Sequence, residues 1–376
     1  MLQCFCSPLA RRSNKEIEKM ESVDVIIVGA GLTGLTLARS LSQQGKDFTV
    51  LEASDRIGGR VHTVETESGA VVEMGATWFF PPFKNLFKLL KEIKVELTEQ
   101  YLKGYTMYES EKDSPPRKSY STGEDDDMFR IKGGTSKIVE TLYNSIDKSK
   151  VRLGEKVTNI KVSSDGVEVV SNGQTFRCQR VVTTIPPQLL AYSVIFSPPL
   201  REDVLSVLKE THTWMGDSVK AAVTYAEPFW KEDGLSGALY SNAGPFVQMY
   251  DQTTSDGKHA ALVGFVDDGI AHLPLVERRD SIIAQLVRVF GERAGDYLEY
   301  KDTIWPKETL TVGGPGNGPA PKVSRHKNNG HRVYQQPLME GRLILGGSET
   351  STQAGGYMEG AVNSARHVDS LLKRAL

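Results

Sequence analysis

A glycine-rich loop near the start of the chain has the spacing needed to bind a diphosphate. It reads GAGLTG at residues 29–34. In this arrangement one glycine permits a tight turn, one lets the backbone approach a pyrophosphate, and one lets a helix pack closely on a strand. An acidic residue, Glu52, follows about twenty residues later, where a carboxylate can bind ribose hydroxyl groups. The residues expected to line this dinucleotide site are Gly29, Ala30, Gly31, Thr33, Gly34, Glu52 and Ala53.

The segments on either side of the loop have the periodicities of the elements that must hold it. Residues 23–28 are a short β-branched apolar run, and residues 48–51 are a second apolar run, as expected for buried strands. Between them, residues 35–45 carry apolar side chains at helical spacing. A helix that starts at the loop directs free N–H groups and a partial positive charge toward a bound phosphate. The order of these elements predicts a nucleotide-binding α/β fold.

A second glycine–arginine element, RIGGR at residues 56–60, follows the acidic residue. Two arginines beside a glycine pair can neutralise a diphosphate from the side opposite the helix. An ordinary nicotinamide dehydrogenase has no need of such a loop, whereas a long, buried FAD does. The combination favours FAD, with Gly59 and Arg60 among its ligands. The alternative is a surface turn with solvated arginines.

With these motifs the chain resembles the flavin-containing amine oxidase superfamily, and the resemblance extends from about residue 23 to residue 371. The GSET turn at residues 347–350 and the GYMEGA segment at residues 356–361 match the same family. The resemblance implies an α/β fold with a discontinuous, Rossmann-like FAD-binding domain and a smaller α+β substrate-binding domain. The expected pieces are 22–79, 131–209 and 310–376 for the FAD-binding domain, 80–130 and 210–309 for the substrate-binding domain, and 1–21 for a disordered tail.

The resemblance also implies roles for individual residues along the cofactor. Val157 would meet the adenine end of FAD, and Glu349 would bind near its ribityl–phosphate part. Tyr357 and Met358 would lie against the isoalloxazine, where a helix N-terminus favours negative charge on the reduced ring. Trp305 matches a tryptophan that packs beside the flavin. The other residues expected at the cofactor are Gly75, Ala76, Thr77, Trp78 and Gly347.

Lys220 is the residue expected to act in catalysis. It lies in the run VKAAVTY at residues 219–225, where a buried ammonium group would be costly. In the family, a lysine in this context precedes an EPFW element and hydrogen-bonds through water to the flavin N5, and EPFW stands here at residues 227–230. The resemblance implies that Lys220 assists the reaction of reduced flavin with oxygen. A solvated lysine on an exposed strand is the alternative.

Tyr357 matches one of two aromatic residues that hold the substrate amine in the family, since π faces can hold a cation. The segment after Trp305 reads KETLTVGGP and supplies no aromatic residue for the second position. The chain therefore departs from the family pattern here, and another residue would have to close the site. The same segment contains no cysteine, so we expect FAD to be bound non-covalently.

Composition excludes several other classes of function. A net charge of −2 without a basic stripe gives no sign of a nucleic-acid partner, and no apolar run is long enough to cross a bilayer. Three cysteines and seven scattered histidines give no metal-ligand cluster and no disulfide framework. We expect a cytoplasmic protein with no metal, membrane or nucleic-acid partner. Oligomeric state is open, and Met20 is an alternative start to Met1.

Two further patterns predict local structure. The pairs Asp165-Gly166 and Asn172-Gly173 each separate short apolar runs and predict hairpin turns. Residues 110–127 are polar and end in the acidic run EDDD, which favours an exposed loop.

The predicted function is an FAD-dependent amine oxidase that converts a primary or secondary amine to an imine and reduces O2 to H2O2. One alternative is a flavin-dependent dehydrogenase or desaturase of the same fold, acting on a carbon skeleton of porphyrinogen or carotenoid type. Another is a flavin-binding protein without turnover. Monoamines, polyamines and amino acids are all open as substrates, because an arginine that could bind a carboxylate cannot be placed from sequence.

Overall fold

The computed structural model describes residues 22–123, 127–254, 256–317 and 320–375. The predicted N-terminal tail and residues 124–126 of the acidic run lie outside the described residues. The strands are β1 Ser22–Val28, β2 Phe48–Leu51, β3 Thr63–Glu65, β4 Val71–Glu73, β5 Leu97–Glu99, β6 Gly104–Glu109, β7 Arg117–Ser121, β8 Phe129–Ile131, β9 Val151–Arg152, β10 Val157–Ser163, β11 Gly166–Ser171, β12 Gln174–Thr183, β13 Ile195–Ser197, β14 Val219–Tyr225, β15 Leu235–Ser241, β16 Phe246–Asp251, β17 Ala260–Val266, β18 Glu299–Ile304 and β19 Leu343–Leu345. The helices are α1 Leu32–Gln43, α2 Lys84–Glu92, α3 Ser136–Asn144, α4 Pro187–Ser193, α5 Glu202–Lys209, α6 Phe229–Glu232, α7 Leu275–Phe290 and α8 Met358–Ala375.

The first large sheet is built around β1. Its order is β13–β10–β11–β12–β1–β2–β9, and β19 also pairs with β12. β1 runs parallel to both of its neighbours and is buried on both faces. Val25 and Ile27 pack in a cluster with residues of α1 and α8, whereas Ile26 and Val28 pack in a second cluster with residues of β12 and α5. The continuous apolar run predicted as a buried strand is therefore confirmed.

Two antiparallel hairpins extend this sheet on one side of β1. β10 pairs with β11, and β11 pairs with β12, around the predicted Asp-Gly and Asn-Gly turns. Asn172 and Gly173 both have positive φ, at 48° and 79°, the conformation that favours these residue types in two-residue turns. Both hairpin predictions are confirmed.

The second large sheet has the order β18–β14–β17–β16–β15–β6–β7. α7 packs on one face, where Ile282 and Leu286 share a cluster with Val219 and Ala221 of β14. Ala222 packs on the opposite face with residues of β4 and β17. Because side chains alternate along a strand, Lys220 lies on the same face as Ala222.

The prediction of a loop over residues 110–127 is wrong in part. Residues Arg117–Ser121 form β7, which pairs antiparallel with β6 at the edge of the second sheet. Four of its five residues are exposed, so no alternation of apolar and polar side chains marks this strand in the sequence. Edge strands with polar side chains are a common way to prevent unwanted pairing with another chain.

The described strands of the first sheet come from residues 22–51, 151–197 and 343–345, and those of the second sheet from residues 104–121 and 219–304. The division into a discontinuous FAD-binding domain and an inserted substrate-binding domain stays a prediction. Among the helices that the structure describes, none is both long and apolar enough to span a bilayer.

Candidate active site

A cavity of about 1260 Å³ is lined by residues of both large sheets. Its volume is above the range of about 300–1,000 Å³ typical of small-molecule sites, so it can hold a long cofactor together with a substrate. The predicted site residues that line it are Gly29, Gly31, Thr33, Glu52, Ala53, Gly59, Arg60, Ala76, Thr77, Trp78, Val157, Tyr357 and Met358. The predicted site residues that do not line it are Ala30, Gly34, Gly75, Lys220, Trp305, Gly347 and Glu349.

The glycine loop has the geometry that its spacing predicts. Gly29 has φ +106°, which L side chains rarely adopt, and its N–H donates to Leu51 O at 2.8 Å. A Cβ on Gly34 would lie 2.0 Å from Gly29 O, so the third glycine is needed for α1 to pack against the turn. A Cβ on Gly31 would meet nothing nearer than Gly58 O at 3.8 Å. The space beside the Gly31 Cα is therefore open toward the cavity.

Glu52 is held in a fixed orientation at the end of β2. Its Oε2 accepts a 2.6 Å hydrogen bond from the Ala30 N–H, and its Oε1 accepts a 2.9 Å bond from the Ser54 N–H. No side chain caps the N-terminus of α1, whose first N–H groups have no acceptor within the helix. The loop thus offers backbone donors to a diphosphate and an oriented carboxylate to a ribose.

The two arginines of the RIGGR element have different roles. Arg56 donates to Gly59 O at 3.0 Å and to Ile57 O at 3.3 Å, so it braces its own loop. Arg60 lines the cavity. Gly58 N–H donates to Ala30 O at 2.9 Å and ties this loop to the glycine loop. Of the two arginines, Arg60 lines the cavity and Arg56 does not; that this loop binds a diphosphate stays a prediction.

Arg60 is positioned by a buried carboxylate from the far end of the chain. Its Nη2 donates to Glu349 Oε2 at 2.9 Å and to Ser348 Oγ at 2.9 Å, while Nη1 donates to the other Glu349 oxygen and to Trp214 O at 3.0 Å. Glu349 has no exposed surface. Burial raises the pKa of this carboxyl, but the charge and hydrogen bonds of Arg60 outweigh it and hold the pKa below its ordinary value. Glu349 does not line the cavity but holds Arg60, which does; its expected place near the ribityl–phosphate part of FAD stays a prediction.

Lys220 is completely buried, which excludes the solvated-lysine alternative. Its Nζ donates to Gly75 O at 2.5 Å and to the hydroxyl of Thr77, which lines the cavity. The rings of Trp78 and Phe265 lie 4.8 and 5.4 Å from Nζ. Burial lowers the pKa of this ammonium group to about 7. Lys220 thus contacts the cavity wall from behind, through Thr77 and the two rings.

Glu73 is the acidic partner of this lysine and was not predicted from the sequence. The negative charge of Glu73 opposes the fall in the Lys220 pKa, while burial raises the pKa of Glu73 itself. Its Oε2 accepts from Thr63 Oγ1 at 2.9 Å, and its Oε1 accepts from the Thr135 N–H at 2.5 Å. One acidic residue in a short strand carries no signal that it will be buried opposite a lysine.

Trp305, predicted to pack beside the flavin, and Lys220 both donate to carbonyl groups of the turn after β4. Trp305 is 1% exposed, and its Nε1–H donates to Met74 O at 2.8 Å. Its indole therefore supports the turn after β4, from which Ala76, Thr77 and Trp78 reach the cavity.

Tyr357 has three aromatic neighbours that the sequence did not identify, and one of them is Phe83, whose ring lies 6.0 Å away. The Tyr357 ring lies 5.4 Å from His326 at an interplanar angle of 22°, and 6.1 Å from Trp214 at 39°. A group held between two parallel rings needs about 7 Å between them, because each contact takes about 3.5 Å. Tyr357 and His326 therefore stack directly and do not form a two-ring cage. Trp214 precedes β14, whereas the second aromatic residue was expected in the segment after Trp305. A tryptophan within the polar stretch THTWMG is unusual, and this feature of the sequence could have indicated Trp214 as a site residue.

The described part of the chain contains no group of three or more His, Cys, Asp or Glu side chains that could bind a metal ion. His62 lies beside Arg56, and burial together with that positive charge lowers its pKa to about 4. It is thus an uncharged structural residue at neutral pH.

A strand–glycine loop–helix unit, an acid at the end of the next strand and a second glycine–arginine loop define an FAD-dependent oxidoreductase. The family model of flavin-containing amine oxidoreductases matches residues 32–109 and 98–368. The chain belongs to this family, which confirms the sequence-based assignment.

Individual relatives agree with this assignment. Flavin-containing amine oxidase A of Sus scrofa is 24% identical over 469 residues, covering 97% of this chain and 88% of the relative. Putrescine oxidase of Kocuria rosea is 26% identical over 402 residues, covering 77% and 83%. A solved structure of putrescine oxidase bound to putrescine superposes with a TM-score of 0.82 at 21% identity, covering 94% of this chain and 99% of that one. Cyclohexylamine oxidase from Brevibacterium oxydans superposes with a TM-score of 0.81 at 20% identity, with the same coverage.

These similarities confirm the α/β fold class and FAD as the cofactor. The alignment with the porcine enzyme spans 469 residues, more than the 376 of the whole chain, so the relative has segments that this chain lacks. The two matched ranges of the family model overlap at residues 98–109, which include β6.

Proposed function

We propose that the protein oxidises a primary or secondary amine to an imine, with O2 as the electron acceptor and H2O2 as the second product. The chemistry that bound FAD would supply is acceptance of a hydride from the C–H bond beside the nitrogen and transfer of the two electrons to O2. The observation that carries the proposal is the fully buried Lys220, aimed at Gly75 and Thr77 behind the cavity in which the FAD-binding motifs converge. A buried ammonium group at such a place is costly without a function.

The cofactor would be held non-covalently by the cradle described above. The first turn of α1 would bind the diphosphate, Glu52 the ribose, and Val157 would contact the adenine end. Arg60 would add positive charge from the second loop, kept in place by Glu349. These assignments rest on the lining of the cavity and on the open space beside Gly31.

Lys220 would supply a positive charge close to where O2 is reduced. Charge of this sign favours electron transfer to oxygen, because the reduced oxygen species is negative. The lysine is charged only below its pKa of about 7, so the reaction with oxygen should slow as the pH rises through that value. Thr77 accepts a hydrogen bond from Nζ and lines the cavity, so it would connect the lysine to the cavity surface.

An anaerobic titration tests the proposal. The purified holoprotein is mixed with a panel of amines, the flavin absorbance band is followed, and air is then admitted. We expect at least one amine class to bleach the band, and the band to return in air with one equivalent of H2O2. In Lys220→Met, bleaching should persist while the return in air is roughly tenfold slower or more, since 1.4 kcal/mol of charge stabilisation corresponds to a factor of ten.

Lys301→Met is the matched control, because Lys301 lies on β18, next to β14, and its side chain is 38% exposed. It should leave both half-reactions unchanged. A yellow protein that no amine bleaches would refute the proposal and leave the desaturase or the flavin-binding protein without turnover. Bleaching by an amine with a slow return in air would indicate an amine dehydrogenase.

A further inference from the structure

Glu73 carries a second buried charge, which interacts with that of Lys220. It is the last residue of β4, is 2% exposed and does not line the cavity. An ionised carboxylate is strongly disfavoured in such a place unless it is hydrogen-bonded and paired with an opposite charge. The partners of Glu73 therefore indicate which function its charge has.

The hydrogen bonds of Glu73 are those of an ionised carboxylate. Oε1 accepts from the Thr135 N–H at 2.5 Å, and Thr135 is the N-cap residue of α3, where the helix dipole favours a negative charge. Oε2 accepts from Thr63 Oγ1 at 2.9 Å. Thr63 Oγ1 itself accepts from the Ser136 N–H at 2.9 Å, so its own proton is free to be donated to Glu73. Both oxygens of Glu73 are therefore acceptors, as those of a carboxylate must be.

The direct partners of the Lys220 ammonium group are neutral. Nζ donates to the Thr77 hydroxyl, and the residues opposite Lys220 on the two flanking strands are Phe265 and Thr303. None of these groups carries a charge that could replace the lost hydration of the ammonium group. Among the described residues, Glu73 is the carboxylate whose charge opposes the fall that burial causes in the pKa of Lys220.

A second cationic side chain, that of Arg130 on β8, favours the negative charge of Glu73. The charges of Asp251 and Glu73 oppose the fall that burial causes in the pKa of Arg130. By the same interaction, the positive charge of Arg130 favours the ionised form of Glu73. Asp251 has a further cationic partner, because its Oδ2 lies 3.1 Å from Lys231 Nζ. Glu73 thus interacts with two cations, of which Lys220 is the one that contacts the cavity wall.

We propose that Glu73 is a positioning residue for the reaction of reduced flavin with O2: its negative charge keeps Lys220 protonated at neutral pH, so that a positive charge is present behind the cavity when O2 reacts. The inference rests on the proposed function, because it takes Lys220 as the residue whose charge speeds this reaction. Glu73 acts only through Lys220, since it does not line the cavity itself.

The test measures reoxidation by itself in Glu73→Gln. The flavin of the holoprotein is reduced anaerobically by light, so that no amine is needed, and its reoxidation in air is followed as a function of pH. Glutamine has nearly the same shape as glutamate, and its amide can still accept from the Thr135 N–H and donate to Thr63 Oγ1. Wild-type reoxidation should slow as the pH rises through about 7, the pKa of Lys220. In Glu73→Gln this fall should lie about one pH unit lower or more, which makes reoxidation about five- to tenfold slower at about pH 7.5.

A second comparison separates the loss of charge from a structural effect. In the Lys220→Met background, Glu73→Gln should change reoxidation by less than about twofold, because the residue through which Glu73 acts is gone and the two effects are not additive. Glu65→Gln is the matched control. Glu65 lies opposite Val71 in the same β3–β4 hairpin, but it is exposed. Its substitution should leave the pH profile unchanged.

An unchanged pH profile in Glu73→Gln, or an equal slowing by Glu73→Gln with and without Lys220, would overturn the proposal. If Glu73→Gln does not retain FAD, Glu73→Asp decides, because it keeps the charge on a shorter side chain. Its fall in rate should stay within about half a pH unit of the wild type, and a shift of about one unit or more would refute the proposal. If no amine reduces the flavin but the light-reduced protein shows the Glu73 effect, the amine oxidase function fails while the role of Glu73 stands.

Discussion

At the scale of single residues, the site depends on charges that are buried in opposite pairs. Lys220 is set against Glu73, and Arg60 against Glu349, each within protein of low exposure. Taking one charge out of water costs several kcal/mol, and a nearby opposite charge offsets only part of that cost. Such pairs are weak contributors to stability, so their presence around one cavity points to function.

The pH dependence of stability should report the buried lysine directly. The pKa of Lys220 is about 7 in the folded protein, against an ordinary 10.5. Between these values the unfolded chain binds more protons, so the contribution of Lys220 to the free energy of unfolding rises with pH, by about 3 kcal/mol between about pH 7 and about pH 9.5. Lys220→Met should remove this slope, measured by urea unfolding of the apoprotein at about pH 7 and about pH 9.5.

Lys301→Met serves again as the control and should keep the wild-type slope. Equal slopes in wild type and Lys220→Met would mean that the folded protein does not depress the proton affinity of this lysine.

Some of these residues could be identified as site residues from the sequence alone, and others could not. Lys220 could be identified because a lysine inside an apolar strand is unusual in itself. Glu73 and Trp214 could not, because their importance comes from what the fold brings next to them. The place of Glu349 along the cofactor stays a prediction, and its pairing with Arg60 could not be predicted, since sequence motifs give position along the chain and not contacts in space.

At the scale of elements, two glycines near the start of α1 have different physical roles. Gly34 permits contact between α1 and the turn after β1, and Gly31 permits contact between the turn and a ligand. Gly31 has φ −75°, which alanine adopts without strain. The two positions therefore allow folding and cofactor binding to be separated.

We expect Gly34→Ala to destabilise the apoprotein and Gly31→Ala to leave it stable. The added Cβ at Gly34 would lie 2.0 Å from Gly29 O, and overpacking of this kind costs about 1–3 kcal/mol or more. At Gly31 the added methyl group would instead obstruct the diphosphate and weaken FAD binding, about tenfold or more. Urea unfolding and equilibrium FAD titration measure the two effects. Loss of stability in Gly31→Ala with normal FAD binding would contradict this assignment.

Regular elements were predicted where the chain has strong periodicity or turn residues. β1, α1 and the two hairpins of the first sheet follow from such signals. β7 did not, because an exposed edge strand needs neither apolar alternation nor turn residues within it. Its pairing with β6 is decided by the neighbouring strand rather than by its own sequence.

At the scale of the whole molecule, the cavity collects residues from remote parts of the chain. The glycine loop, Val157 and the start of α8 all line it. A ligand that contacts all three favours the folded state by linkage, by about 2.7 kcal/mol when its free concentration is 100 times its Kd. The apoprotein should therefore melt at a lower temperature than the FAD-bound protein.

Scanning calorimetry of the apoprotein with increasing FAD measures this effect. The melting temperature should rise with the logarithm of FAD concentration, and Gly31→Ala should need more FAD for the same rise. A melting temperature that does not respond to FAD would mean that the cofactor does not join these segments.

The contact between α1 and α8 also constrains the order of events during synthesis. Thr33 Oγ1 donates to Ala361 O, 328 residues away, and β19 joins β12 only after the second sheet has been translated. At about 5–20 residues per second, a ribosome needs roughly 15–60 s to cover that separation. During this interval β1 and α1 present an uncovered apolar face, so the nascent chain would depend on chaperones for protection. The second sheet, whose strands β14 to β18 are close in sequence, can form meanwhile, and the nucleotide-binding sheet is completed last although its first strand is made first.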